Sequence, residues 1–177
     1  MRVKRLQFIV IRRAPGNPRQ ARVQLAHGVV PAALGRRGFT ALKREGDGGT
    51  PRGRFPVRMA FYRGDRMRRP RTALPLCAIR DNDGWCDDPS DANYNRRITL
   101  PSARSAEGLK RADHLYDLIV VLGYNDGPRI KGRGSAIFMH LGRSNYSPTD
   151  GCIALSRRHL IRLLAETGRG TRVVLMG

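Results

Sequence analysis

The chain has 177 residues, enough for one ordinary domain and short for two, and 40% of them are apolar. That content supports a packed core and excludes a disordered tail, and no apolar run approaches the ~20 residues of a membrane-spanning helix. The 34 Lys+Arg against 14 Asp+Glu give a net charge of +20, nearly all from arginine, which points to an anionic partner (nucleic acid, a membrane face, a carboxylate-rich polymer) or to scattered, solvated arginines with no single target.

The amino terminus, "MRVKRLQFIVIRRAPG", holds the apolar run "LQFIVI". It is shorter than the ~7–15 residues of a secretory core, and no small-residue cleavage site follows. It reads as a first strand. Cytoplasmic residence, another export route and a leader outside this chain all stay open. "ARVQLAHG" and "GVVPAALG" alternate as strands, with loops at "APGNP" and "EGDGGTPRG". In the second loop Asp47 and Thr50 are placed to bond backbone, and the glycines to take positive φ. "RFPVRMAFY" is a further strand, and Pro56 suggests an edge or an irregular start. A polar, turn-rich insert runs from about 63 to 112 without clear periodicity. Its Trp85, Asp87, Asp88, Tyr94 and Asn95 suit either a substrate wall or a loop held by Asx turns and a buried tryptophan. "LYDLIVVLGYN" and "SAIFMHLG" read as strands, "SRRHLIRLLAETG" as an amphipathic helix capped by Ser156 and stopped by Gly168, and "TRVVLMG" as a closing strand. The expected fold is mainly β, one domain over 1–177, with one or two short helices.

Three cysteines exclude a fully paired disulfide framework. Cys77 and Cys86 could pair or be two buried thiols, and Cys152 is left over. His140 precedes Cys152 by twelve residues, a spacing that allows a hairpin joining the two. A cysteine is nucleophilic only as a thiolate, so it needs a base or a positive neighbourhood. On that reading His140 is the base and Cys152 the nucleophile. The turn before Cys152 aims the amides of Gly151 and Cys152 at a developing oxyanion, and the reaction class is acyl transfer. A buried thiol beside a satisfied core histidine is the plain alternative. His27, His114 and His159 lie near no nucleophile in sequence and suit structural or exposed roles.

"HLGRSNYSPTDGCIAL" resembles the active-site signature of the L,D-transpeptidases of the YkuD type. "EGDGGTPRGRFPV" is similar to that family's "DG-x-TP-x-G-x-F" stretch, and "GWCDDPSDANYNR" and "DLIVVLGYN" resemble one branch of it. Four matches in the right order cover most of residues 40 to 156. The resemblance implies a β-sandwich-like domain with the cysteine in a cleft. It makes Cys152 the nucleophile, His140 the general base, and Gly151 and Cys152 main-chain oxyanion donors. The carbonyl of Leu141 or Gly142 would orient the histidine. Thr149 takes the Ser/Thr place of the motif. Two departures stand out: Asp150 replaces a second histidine, and Ala154 replaces the arginine that meets a substrate carboxylate in "GC-x-R" members. Arg157, Arg158, Arg143 or Lys131 are the candidate substitutes. Tyr124, Asn125, Thr149, Asp150, Trp85 and Arg143 are the candidate substrate contacts.

The implied reaction cross-links peptidoglycan stem peptides through meso-diaminopimelate. The bond is of the 3–3 type or, as in some relatives, the 1–3 type between L-alanine and diaminopimelate, and water as acceptor gives an L,D-carboxypeptidase. The resemblance also implies no metal or organic cofactor, a monomer, and residence in the periplasm or cell envelope. The charge would draw the protein to an anionic polymer or membrane surface. A basic nucleic-acid-binding module with a buried thiol is the rival of a different class. It fits less well, because the few aromatics do not interleave with the basic runs. A zinc site from His140, Cys152 and Cys77 or Cys86 matches no compact ligand spacing. A papain-type hydrolase would carry its cysteine early and its histidine far downstream.

Overall fold

The computed structural model describes residues 5–26 and 28–177, so His27 lies outside the described residues. Alternating burial sets the first strands. β1 (Phe8–Ala14) buries Ile9 and Ile11, and β2 (Asn17–Leu25) buries Ala21, Val23 and Leu25. They form an antiparallel hairpin whose connection is only Pro15–Gly16. Proline presets its own φ and Gly16 takes φ 73°, so the expected loop shrinks to a two-residue turn. β3 (Gly28–Ala33) continues the meander. A parallel two-stranded pair, β4 (Phe39–Thr40) and β5 (Thr50–Pro51), brackets the glycine-rich turn, where Asp47 accepts from the amides of Arg44 and Gly49.

β6 (Gly53–Tyr62) is the hinge of the topology. Its first half pairs with β14 (Arg172–Met176) and its second half with β11 (Leu118–Leu122) on the other side. Pro56, taken from sequence as an edge signal, sits where the partner changes. Its carbonyl accepts from Gly123 just past β11, so its missing N–H also faces that strand end and costs no ladder bond. β12 (Phe138–Leu141) and β13 (Ile153–Leu155) complete a main sheet in the order β11-β12-β13-β3-β2-β1-β14-β6. The β11–β6 pairing closes that order into a ring, with β7 (Leu76–Ala78) added beside β6. The two halves face each other across one core, a β-sandwich as expected. Ile9, Ile11, Val23, Val120, Met139, Ile153, Leu155 and Val173 fill it.

The single helix among the described residues, α1 (Arg157–Glu166), begins at Ser156, whose hydroxyl accepts from the His159 amide. Leu160, Leu163 and Leu164, at helical spacing, are fully buried in the main core against β11 and β12. The helix stops at Thr167, one residue before the predicted Gly168.

Residues 63–112 are not one long loop. β8 (Asp83–Cys86), β9 (Arg97–Thr99) and β10 (Ala106–Gly108) form a separate three-stranded sheet. It covers the outer face of β6, β11 and β12 through a second apolar cluster of Phe61, Trp85, Leu109, Tyr116, Ile119 and Phe138. Trp85 meets Phe138 edge-on, with ring centroids 5.1 Å apart. The cleft lies at the margin of this cluster.

Candidate active site

His140 and Cys152 are neighbours, but not through a hairpin. β12 and β13 run parallel, with Met139 opposite Ile153 and His140 opposite Ala154. A parallel pair needs a crossover, and the loop 142–152 supplies it. Side chains two residues apart share a face, so Cys152, directly before β13, projects on the same side as His140 and Ala154. That side is the outer one, toward the insert, whereas Met139 and Ile153 point into the core.

Each group is held by backbone. His140 is 6% exposed, and its Nδ1 lies 2.8 Å from the Leu141 carbonyl oxygen. A carbonyl only accepts, so Nδ1 carries the proton and Nε2 is left as the basic nitrogen. Of the two carbonyls expected from sequence, that of Leu141 is the one that meets Nδ1. Tyr116 packs against the imidazole at 5.3 Å between centroids. The Cys152 thiol donates to the Ala136 carbonyl at 3.1 Å, and the Phe138 amide approaches the sulfur at 3.4 Å.

Both groups are neutral near pH 7. Burial drives the His140 pKa down to about 4, against the opposing pull of the Leu141 carbonyl. Burial pushes the Cys152 thiol up to about 12, and the Glu107 carboxylate adds to the rise. The Phe138 amide and the Lys43 ammonium work the other way without prevailing. The resting pair is therefore thiol and imidazole rather than thiolate and imidazolium.

The motif turn differs from expectation in one respect. Gly151 takes φ 136°, and a Cβ built there would stand 2.9 Å from the Gly49 carbonyl oxygen, so only glycine fits. The Gly151 amide, however, donates to Thr149 Oγ1 at 3.2 Å, and that hydroxyl in turn donates to the Cys152 carbonyl at 2.7 Å. Thr149 thus pins the turn, and the Gly151 amide is already engaged.

A cavity of about 450 Å³ opens onto His140 and Cys152. A family model for the L,D-transpeptidase catalytic domain of the YkuD type matches residues 17–175, from the start of β2 almost to the end of β14. The chain belongs to that family. No curated protein and no solved structure matches it. L,D-transpeptidases act on peptidoglycan stem peptides.

Within this L,D-transpeptidase domain the sequence-predicted residues divide. Leu141, Gly142, Arg143, Thr149, Asp150 and Ala154 line the cavity. Asp150 is exposed and paired with Arg36. Trp85, Tyr124 and Asn125 do not line it. Trp85 backs Phe138 and donates to Asn95 Oδ1 at 3.0 Å. Tyr124 donates to the Arg133 carbonyl, and Asn125 ties down the 125–134 loop through Ile130 and Gly134. Of the four candidate substitutes for the arginine missing at Ala154, only Arg143 reaches the cavity. Arg157 lies beside Asp117, Arg158 is exposed on α1, and Lys131 donates to the Ser90 carbonyl. Cys77 and Cys86 are both free thiols. Among the described residues no group of three or more His, Cys, Asp or Glu side chains gathers into a metal site.

Sequence reasoning missed four charged residues of the cavity wall: Lys43, Glu45, Glu107 and Arg111. Lys43 is buried, its ammonium 2.5 Å from Asp47. Burial raises the Asp47 carboxyl, but hydrogen bonds from Lys43, Arg44 and Gly49 outweigh it and hold the pKa low. Glu107, on β10, accepts from the Tyr116 hydroxyl at 2.7 Å and has its pKa raised by burial. Arg111 chelates Asp113, lies 5.0 Å over the Tyr116 ring and brings its Nη1 to 3.8 Å from Glu107. Nothing local in "AEGLKRAD" marks Glu107 or Arg111 as site residues; only the packing of the insert over β12 brings those two there.

Proposed function

We propose that this domain cross-links peptidoglycan stem peptides with Cys152 as nucleophile and His140 as base. The observation that carries the reading is the shared outer face of β12 and β13. It puts the thiol and a basic Nε2, fixed by the Leu141 carbonyl, on one cavity. With both groups neutral at rest, His140 Nε2 takes the thiol proton as sulfur bonds to the carbonyl carbon. The bond to the following residue then breaks, and its amine leaves with the proton from His140. A thioester on Cys152 remains. The amine of a second stem attacks it, His140 accepts that amine's proton, and the thiol is restored as the new amide forms. With Gly151 engaged by Thr149, the Cys152 amide is the oxyanion donor this turn offers.

The acyl donor is the carbonyl at the L-centre of meso-diaminopimelate, giving the 3–3 bond. The other end of that residue bears an ammonium and a carboxylate on one carbon. Glu107 and Arg111, 3.8 Å apart on the cavity wall, match that pair of charges. Arg111 so takes over the carboxylate contact that Ala154 cannot make. Such a substrate places the protein's work in the cell envelope.

The test is product analysis with purified tetrapeptide and tripeptide muropeptides, comparing the native chain with Cys152→Ala and His140→Ala. A new dimer whose fragmentation joins two diaminopimelates supports the reading. A dimer joined through L-alanine selects the 1–3 bond, shortened monomer selects the carboxypeptidase, and no product from folded protein contradicts it.

A further inference from the structure

The outer surface of the β-ring is covered on one side only. The insert lies over β6, β11 and β12, while the outward face of β3, β2, β1, β14 and the first half of β6 carries no layer among the described residues. Strand register fixes what that bare face displays. Arg22 on β2 stands between Pro31 on β3 and Arg12 on β1, and Arg12 stands opposite Met176 on β14. Two residues along, Val29 is opposite Gln24, and Val174 lies between Val10 and Arg54. Two further, Arg172 lies between Phe8 and Pro56. Strands lie about 4.8 Å apart, so these side chains form one continuous patch.

The patch has two properties together. It is cationic without compensation: Arg12, Arg22, Arg54 and Arg172 have no acidic partner among the described residues, and the sequence from 5 to 44 contains no Asp or Glu. It is also apolar. Of the five large apolar side chains most exposed among the described residues, three are here: Phe8 at 43%, Val29 at 56% and Met176 at 43%. Arg54 stacks over Phe8, its guanidinium carbon 5.3 Å from the ring centroid. A soluble polyanion needs only the first property. Arginines interleaved with exposed aliphatic and aromatic side chains suit a bilayer interface, where phosphates take the cations and the acyl boundary takes the apolar groups.

We infer that this face docks on a bilayer surface rich in anionic phospholipid. The ring then gives the docking a consequence. β1 is four strands from β12 in either direction round the closed order, so the face and the cleft are on opposite sides. A domain seated on its β1 side presents the His140–Cys152 cleft away from the lipid.

Co-sedimentation with phosphatidylcholine vesicles, with and without 30% phosphatidylglycerol, tests this at physiological salt. Three variants are compared, each checked by circular dichroism and thermal melting. The first is Arg12→Glu/Arg22→Glu/Arg54→Glu/Arg172→Glu. The second reverses four exposed arginines elsewhere, Arg68→Glu/Arg69→Glu/Arg104→Glu/Arg158→Glu, for the same change in net charge. The third is Phe8→Ser/Val29→Ser/Met176→Ser. At about fivefold per arginine near an anionic surface, the first variant loses more than about a hundredfold in partitioning. The second should lose at least about tenfold less than the first. The third should weaken vesicle binding while binding a soluble polyphosphate as tightly as the native chain. Equal losses from the two arginine sets would overturn the inference in favour of diffuse charge. An apolar variant that still binds vesicles normally would overturn it in favour of a soluble polyanion.

Discussion

His140 and Cys152 share one face of two parallel strands, yet each is hydrogen-bonded to a different main-chain carbonyl: Nδ1 to Leu141 and Sγ to Ala136. The thiol is therefore held on a carbonyl, protonated, on the same cavity as an imidazole whose Nδ1 is engaged by backbone. A resting thiolate–imidazolium pair would instead need the histidine pKa raised and the thiol pKa lowered, the reverse of what burial does here.

The neutral pair has a kinetic signature. Iodoacetamide alkylation of Cys152, followed by peptide mapping to separate it from Cys77 and Cys86, should be slow at pH 7. It should climb through pH 9 without a plateau, because the thiol is pushed up to about 12. Turnover should persist to about pH 5 and fall only as His140 protonates near 4. A plateau in alkylation below pH 7 would show a preformed thiolate.

Burial of a neutral histidine also ties stability to pH. His140 titrates near 4 in the folded chain and near 6.5 when unfolded, so between those values only the unfolded chain binds the proton. Stability from this group is fully present above pH 6.5 and lost as pH falls toward 4, at about 1.4 kcal/mol per pH unit at most. Denaturant unfolding of the native chain and His140→Gln over pH 4–7 reads this out. The native curve should fall more steeply toward acid than that of the variant.

Gly151→Ala probes the turn before the cysteine. Its Cβ would enter a 2.9 Å contact with the Gly49 carbonyl in a backbone conformation that L-residues rarely take. A cost of about 1–3 kcal/mol in chemical denaturation is expected, with turnover lost beyond what the destabilisation explains. Unchanged turnover would show that the turn does not position Cys152.

Substitutions at Glu107 and Arg111 test whether recognition can be separated from chemistry. Glu107→Gln and Arg111→Gln should each raise KM for a diaminopimelate stem about tenfold or more, with smaller effects on kcat. A stem with the distal carboxylate amidated should be insensitive to the Arg111 change. If both stems respond equally to Arg111→Gln, the residue supports the insert rather than the substrate.

Much of the fold is legible in the chain because its long strands and its helix carry strong periods. β1, β2, β14 and α1 alternate or repeat cleanly, and Ser156 and Gly168 mark the helix ends within a residue. The three-residue strands β9 and β10 have no room for a period, so the insert reads as loop. The parallel pairing of β12 and β13 was hidden as well, since twelve residues fit a hairpin or a crossover and local sequence does not distinguish them. His140 and Cys152 stand out because the segment that carries them, "HLGRSNYSPTDGCIAL", resembles a known active-site signature; the two residues alone suit a buried thiol and a core histidine equally. Lys43, Glu107 and Arg111 do not, being three more charges in a chain of 48 cations and anions.

The most direct test is the intact mass of the protein quenched in acid after mixing with a tetrapeptide stem, alongside Cys152→Ala. The account predicts a transient gain equal to the mass of the donor stem less that of the free terminal amino acid it releases, mapped to Cys152, discharged by added acceptor stem and absent from the variant. Product formation without any adduct on Cys152, or an adduct that persists in Cys152→Ala, would contradict it.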